Sequence, residues 1–136
     1  DSNKETRTTY RYKGVTMSNI KVEPYLPPMY TDFKAYQRWT KTTAIYDNPI
    51  IYPALELAGE AGEVCNQVKK IYRDDKGYVS PTRKNDLEKE IGDCLWALAR
   101  LVDDLGLDFN KVAEYNVKKL EDRKARNVIG GSGDNR

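Results

Sequence analysis

Apolar residues recur at steps of three and four between positions 53 and 72, and this spacing restricts the fold more than any other feature. The residues in the row are Leu57, Ala61, Val64, Val68 and Ile71. At 3.6 residues per turn, this spacing makes one apolar stripe along an amphipathic helix. The segment therefore predicts a helix from about Pro53 to Tyr72.

Three further segments carry helical signals. Each begins after a residue whose side-chain oxygen can accept a hydrogen bond from the first turn, and each ends at a turn or near a glycine. Their predicted bounds are about 31–46, 80–105 and 108–126, with N-caps at Thr31, Ser80 and Asp108. Four amphipathic helices joined by short links predict an all-α fold, a four-helix bundle.

The two ends of the chain lack this periodicity. Residues 1–28 end in Leu26-Pro27-Pro28 and are predicted to be a partly flexible N-terminal arm. Residues 129–136 are rich in glycine and are predicted to be a flexible tail. The helical domain is accordingly predicted at 29–128.

Composition excludes several classes of protein. No run of about 18 apolar residues exists and the N-terminus has no apolar core of a signal peptide, so we predict a cytoplasmic protein without a membrane span. The 23 basic and 21 acidic residues do not indicate a dedicated duplex-DNA binder, which usually has a marked basic excess. Because histidine is absent, Ser–His–Asp, Cys–His and histidine–zinc chemistry is excluded.

Carboxylates lie in unusual places on the second predicted helix. Glu56, Glu60 and Glu63 fall within an arc of about 60° beside the apolar stripe, and Gln67 lies inside that arc. A surface helix usually pairs such acids with Lys or Arg four residues later. Here Glu56 is followed at that distance by Glu60, and Glu63 by Gln67.

The third helix carries a stronger anomaly. Glu90 falls on its apolar face between Leu87 and Cys94, with Asp93 at the edge of that face. An unpaired buried carboxylate costs several kcal/mol or takes up a proton, and a divalent cation would remove that cost. Carboxylates on two facing helices suit Mg²⁺ or Mn²⁺. These acids could instead pair with Lys or Arg on a neighbouring helix, or belong to a solvated face.

The fourth helix places polar and basic residues on its buried face. Asn116 lies within that face, and Lys119 and Arg123 follow near the same line. Such a row facing a metal site would suit a polyphosphate chain. Basic side chains near the end of a helix could equally extend along it into solvent.

Taken in order, these motifs resemble a known family over about Thr31 to Arg136. They are Tyr36-Gln37, Leu57-Ala58-Gly59-Glu60-Ala61-Gly62-Glu63-Val64, Glu88-Lys89-Glu90-Ile91-Gly92-Asp93-Cys94-Leu95-Trp96, and Asn116, Lys119, Leu120 and Arg123. The sequence resembles the MazG-like all-α nucleoside triphosphate pyrophosphohydrolases, in their compact single-domain form from bacteria and phages. One departure is that the first acid of the family's adjacent pair falls on Gly59, and Glu56 could supply the missing charge.

The resemblance implies hydrolysis of (deoxy)nucleoside triphosphates to the monophosphate and pyrophosphate. It implies Mg²⁺, which Mn²⁺ can replace, held by Glu60, Glu63, Glu90 and Asp93 with Glu56 as a candidate fifth acid. Glu60 or Glu63 would be the catalytic base. Asn116, Lys119 and Arg123 would contact phosphates, and Gln37 would face the nucleotide.

Family members are generally dimers or tetramers, so the resemblance implies a homo-oligomer. A mean hydropathy of −0.78, low for an isolated globule, agrees with helices that share a core between subunits. Purine nucleotides, guanine in particular, are the predicted substrates, and a dUTP- or dCTP-directed enzyme is the competing hypothesis. Two hypotheses outside enzymology stay open: a non-enzymatic helical interaction protein, and a nucleic-acid-binding helical domain that uses residues 118–126.

Overall fold

The computed structural model describes residues 10–12, 15–17 and 32–133. In that part of the chain, two short strands pair antiparallel with Tyr10 opposite Met17, and four α-helices follow. The elements are β1 (Tyr10–Tyr12), β2 (Val15–Met17), α1 (Phe33–Thr40), α2 (Ile51–Asp74), α3 (Pro81–Asp104) and α4 (Phe109–Ala125), with a 3₁₀ turn at Lys41–Thr43. The four predicted helices and the all-α class are confirmed. Both strands fall in the predicted N-terminal arm, and the rest of that arm lies outside the described residues.

Helix α1 is shorter than predicted at both ends. Its N-cap is Asp32, whose Oδ1 accepts a hydrogen bond from the Ala35 amide at 2.7 Å, and the predicted cap Thr31 lies outside the described residues. The helix ends at Thr40 instead of continuing to Tyr46. Thr40 and Thr42 donate their hydroxyls to the carbonyls three residues back, at 2.7 and 2.8 Å. Such side-chain bonds compete with the helical ladder, which explains the early end.

Helices α2 and α3 form a long antiparallel pair, the most extensive contact between two elements of the described chain. Gly77 turns the chain between them: with φ at +83°, it donates its amide to the Ile71 carbonyl at 3.0 Å. This is a glycine-terminated helix end. Ser80 caps α3 by accepting from the Arg83 amide at 3.2 Å, with Pro81 as the first helical residue, as predicted. The pair brings the acidic stripe of α2, formed by Glu56, Glu60 and Glu63, toward α3.

The apolar core lies where α1, the second half of α3 and the start of α4 meet. Ala99, Val102 and Phe109 form it, and Tyr36 and Leu95 pack against it. Asp108 caps α4 as predicted, accepting from the Asn110 amide at 2.9 Å. The core therefore stands at one end of α3, and Glu90 lies in the other half of that helix.

A polar network joins the same elements beside this core. Arg100 is 5% exposed and donates to Asp103 at 3.0 Å, to Asp104 at 3.2 Å and to the Tyr46 hydroxyl at 3.2 Å. Tyr46 in turn donates to Asp104 at 2.8 Å. The network ties the loop after α1 to the end of α3. Among the described residues, no helix combines the length and the apolar character needed to cross a membrane.

Candidate metal centre

Three carboxylates from α2 and α3 converge. Glu60 lies near the middle of α2, and Glu90 and Asp93 lie on adjacent turns of α3. One carboxylate oxygen of each is within 4.8 Å of the others. The spacing of three residues between Glu90 and Asp93 places both on one side of α3, which the antiparallel pairing directs toward Glu60.

The cluster is electrostatically uncompensated within the described residues. None of its three acids forms an ion pair with Lys or Arg there. Burial raises the pKa of Glu60, and the negative charges of Asp93, Glu56 and Glu90 raise it further. Burial likewise raises the pKa of the Cys94 thiol, followed by the charges of Glu60 and Asp93. Pairing with basic residues on a neighbouring helix therefore does not hold for residues 32–133.

Gln67, seven residues beyond Glu60 on α2, reaches into the same cluster. It is 9% exposed, and its Nε2 donates to Oε1 of Glu90 at 3.4 Å. Its own Oε1 is buried and has no hydrogen-bond partner in the described part of the chain. The sequence placed Gln67 in the arc of the acids but gave no reason to assign it to the site.

This set of donors fits a hard divalent cation. Three carboxylates without a counter-charge in residues 32–133, and an amide oxygen without a donor there, are oxygen groups of the kind that bind Mg²⁺ or Mn²⁺ directly or through water. Glu60, Glu90 and Asp93 are the residues that could hold the ion.

Two further acids of the stripe lie beside the cluster. Glu56 lies one turn before Glu60 on α2, and its negative charge contributes to the raised pKa of Glu60. Glu63 is exposed, and its Oε2 accepts a long hydrogen bond of 3.5 Å from Asn66. The structure therefore does not group Glu63 with the three converging acids, and its role as a ligand stays a prediction.

Gln37 has internal partners. It is 6% exposed and donates to Asp103 at 3.1 Å and to the Leu107 carbonyl at 2.9 Å, and it accepts from the Phe109 amide at 2.9 Å. Asp103 is ten residues beyond Asp93 on α3, about 15 Å along the helix axis. The structure thus places the Gln37 amide in the joint between α1, α3 and α4 and not at the cluster.

The predicted phosphate-binding residues lie on α4, which packs against α1 and α3. Asn116 is exposed, Lys119 is half-buried, and Arg123 is only 4% exposed. All three residues lie on α4, but the exposure of Asn116 contradicts its predicted place on a buried face, and the structure does not join the three to the converging acids. Their contact with a nucleotide stays a prediction.

Comparison with known proteins identifies the family to which the chain belongs. The domain described as "MazG nucleotide pyrophosphohydrolase domain" matches residues 53–128, which include all three converging acids. The chain belongs to the MazG family. A similar protein is the Gene 37 protein of Mycobacterium phage L5, which is 41% identical over 109 residues covering 74% of this chain and 96% of the phage protein. No solved structure matches the MazG chain. MazG proteins generally depend on divalent metals, in agreement with the donor set on α2 and α3.

Proposed function

We propose that this protein hydrolyses nucleoside triphosphates to the monophosphate and pyrophosphate, using Mg²⁺ or Mn²⁺ held by Glu60, Glu90 and Asp93. The observation that carries the proposal is the convergence of these three carboxylates within 4.8 Å, without a basic partner in the described chain. The match of the MazG nucleotide pyrophosphohydrolase domain to the same residues supports it.

A divalent cation at this site supplies charge neutralisation for the triphosphate and lowers the pKa of water. The chain's own acids then have two separate roles, binding the ion and accepting a proton. Glu60, Glu90 and Asp93 hold the ion, and Glu63 accepts the proton of the water that attacks phosphorus as pyrophosphate leaves. Glu63 suits this role because its carboxylate is exposed, lies one turn from Glu60 and has only a long hydrogen bond to Asn66 among the described residues.

Phosphate contacts are assigned to Asn116, Lys119 and Arg123 of α4, whose amide and cationic groups suit a triphosphate. We further propose that the protein is a homo-oligomer, a dimer or tetramer. Apolar side chains that are more than one-third exposed on α3 and α4 support this, among them Ile91, Leu98, Val117 and Leu120. Such surface is typical of helices that pack against another subunit.

The central test replaces Glu90 with Gln, which keeps the shape of the side chain and removes its charge. We expect Glu90→Gln to lose pyrophosphate release and to bind Mn²⁺ at least about tenfold more weakly, measured by electron paramagnetic resonance of free Mn²⁺ without nucleotide. Glu88→Gln, an exposed acid of the same helix, is the matched control and should behave as the parent. Normal turnover by folded Glu90→Gln would reject the site.

A second pair of variants separates holding the ion from proton transfer. Glu60→Gln should weaken Mn²⁺ binding, whereas Glu63→Gln should bind Mn²⁺ normally and lose kcat by about 10²–10⁴-fold, the usual range for a general base. If Glu63→Gln instead binds Mn²⁺ poorly, Glu63 is a fourth ligand, as the family resemblance implies.

The base preference is tested by pyrophosphate release from the eight ordinary nucleoside and deoxynucleoside triphosphates. We propose a preference for purines, guanine in particular, and faster release from dUTP or dCTP would favour a pyrimidine-directed enzyme. No release from any of these nucleotides, with Mg²⁺ or Mn²⁺ present, would favour a non-enzymatic interaction protein.

A further inference from the structure

We infer that Gln67 is a positioning residue of the cation site, which orients Glu90 and accepts a hydrogen bond from a water molecule of the hydrated cation. The inference rests on the proposed function, because it supposes that Glu60, Glu90 and Asp93 hold a divalent ion. It adds to them a neutral side chain that touches a ligand residue and does not itself bind the ion.

The donor side of the amide acts on Glu90. Nε2 of Gln67 donates a long hydrogen bond of 3.4 Å to Oε1 of Glu90, and Glu90 has no ion pair among the described residues. A hydrogen bond to one carboxylate oxygen restricts rotation of the group, so its other oxygen keeps one direction. Outer-sphere hydrogen bonds of this kind set the orientation of metal ligands in many proteins.

The acceptor side of the amide is the observation that indicates a ligand. Oε1 of Gln67 is buried without a hydrogen-bond partner in the described chain, in a residue that is only 9% exposed. A buried carbonyl oxygen without a donor is costly, and native structures contain few of them. The other glutamine of the chain, Gln37, is equally buried but uses both ends of its amide with protein partners. Hydrogen bonds within the protein therefore account for both ends of the buried Gln37 amide, but they leave the buried oxygen of Gln67 unexplained.

The orientation of the amide follows from the charge on Glu90. Turning the group over would set Oε1 of Gln67 against a carboxylate oxygen of Glu90, and two acceptor oxygens do not form a hydrogen bond with each other. The amide oxygen is thus left for a donor from outside the protein. Mg²⁺ gives up its water reluctantly and usually keeps several molecules when it binds carboxylates. Those waters are strong hydrogen-bond donors. A hydrated divalent cation would therefore bind Glu90, which accepts from Nε2 of Gln67, and would offer a water that donates to Oε1 of Gln67.

The test is Gln67→Met, which preserves length and volume and removes both polar atoms. We expect Mn²⁺ affinity without nucleotide, measured by electron paramagnetic resonance, to fall about tenfold to a hundredfold, the usual effect of losing an outer-sphere partner. The melting temperature of the cation-free variant should equal or exceed that of the parent, because the unpartnered buried oxygen is gone. Asn85→Met is the control, an exposed amide on α3 that should change neither quantity.

Each outcome decides the inference. Parent-like Mn²⁺ affinity in Gln67→Met overturns it, and so does a cation-free variant that unfolds or melts at lower temperature, since that result makes Gln67 a structural residue. Glu90→Gln, measured beside it, separates the two proposals. If Glu90→Gln loses Mn²⁺ and Gln67→Met does not, the metal site stands and only the role of Gln67 is wrong. If Glu90→Gln binds Mn²⁺ normally, the proposed function itself has failed.

Discussion

At the scale of single residues, Gly59 is where this chain departs from the acid pair that its family resemblance implies. A β-carbon built at Gly59 would meet no atom within 4 Å, so a larger side chain has room there. Glu56 lies one turn earlier, and its negative charge helps to raise the pKa of Glu60. That Glu56 supplies the charge of the missing acid, at a different angle around α2, stays a prediction.

Restoring the acid at position 59 should strengthen cation binding. We expect Gly59→Glu to bind Mn²⁺ roughly threefold to tenfold more tightly, because one more carboxylate near the ion contributes about 1 kcal/mol in water-like surroundings. Gly59→Ala is the control: it should leave Mn²⁺ affinity unchanged and raise the unfolding free energy by about 0.5–1 kcal/mol through helix propensity. Unchanged or weaker binding by Gly59→Glu would overturn this expectation, and unchanged binding would mean that position 59 faces away from the ion.

Residues differ in how far the sequence alone could place them. Glu90 was found because its anomaly depends on one helix only, where an acid interrupts an apolar face. The sequence could not assign Gln67 or Gln37, because the role of an amide depends on what faces it from other elements. Gln67 faces Glu90 on α3, whereas Gln37 faces the end of α3 and the first amide of α4.

At the scale of elements, α1 is held to the rest of the helical domain by a buried amide, that of Gln37, in addition to apolar packing. Gln37→Leu should lower the unfolding free energy by about 3 kcal/mol, since it leaves the Phe109 amide and the Leu107 carbonyl without their partner. Urea unfolding followed by circular dichroism measures this loss.

The same variant separates a structural role for Gln37 from the nucleotide-binding role implied by the resemblance. Folded Gln37→Leu should bind Mn²⁺ as the parent does and keep its KM for nucleotide. Arg38→Leu, an exposed neighbour on α1, is the control for stability. A raised KM for nucleotide in Gln37→Leu, without loss of stability, would support the nucleotide-binding role of Gln37 that the resemblance implies.

The joint between α1 and α3 also makes stability depend on pH through Asp103. Burial by itself would raise the pKa of Asp103, but hydrogen bonds from Gln37 and Arg100 and the charges of Arg100 and Lys41 outweigh it and hold the pKa below 3.8. A carboxylate whose pKa is lower in the folded state adds stability above its unfolded pKa. That stability is lost as the pH falls through the folded value.

Asp103→Asn should therefore be less stable than the parent by about 2 kcal/mol at about pH 7, with the difference closing as the pH falls below 3.8. Urea unfolding at a series of pH values measures the gap. Asp47→Asn, an exposed acid in the loop before α2, should show no such gap. A gap that stays constant down to about pH 2 would mean that Asp103 acts through packing and not through its charge.

Helix ends were predictable where local chemistry decides them. Ser80 and Asp108 cap α3 and α4 as expected, because a side-chain oxygen at the N-cap needs only its own first turn. The start of α2 was predicted at about Pro53 but lies two residues earlier, at Ile51. A proline is tolerated within the first turn of a helix, because the N–H that it lacks would have no helical partner there. The end of α1 depends on threonine hydroxyls competing with the backbone, and hydrophobic periodicity does not report that competition.

At the scale of the whole molecule, the proposed second subunit rests on the exposed apolar surface of α3. Ile91 is 56% and Leu98 is 38% exposed, and they lie seven residues apart on one face of the helix. We expect Leu98→Glu to shift the protein toward monomers, because a charge at the centre of an apolar contact is costly to bury.

Light scattering coupled to size-exclusion chromatography measures the mass of the parent and the variant. Leu107→Glu is the matched control, since Leu107 is 51% exposed and lies in the link between α3 and α4. It should keep the parental mass. An unchanged mass for Leu98→Glu would mean that the contact between subunits lies elsewhere. A monomeric parent would contradict the proposed homo-oligomer.

The contrast between the joint at Gln37 and the pairing of α2 with α3 sets an order for folding. Helices α2 and α3 are separated by a short turn, so their contacts close small loops and cost little chain entropy. The bonds of Gln37 span 66 to 72 residues and close a loop that contains both of those helices. Local contacts form faster than distant ones, so the α2–α3 hairpin is the natural nucleus and α1 docks late. We therefore expect the acids to come together before the core is complete, so that a nascent α2–α3 hairpin already carries the oxygen donors of the proposed cation site.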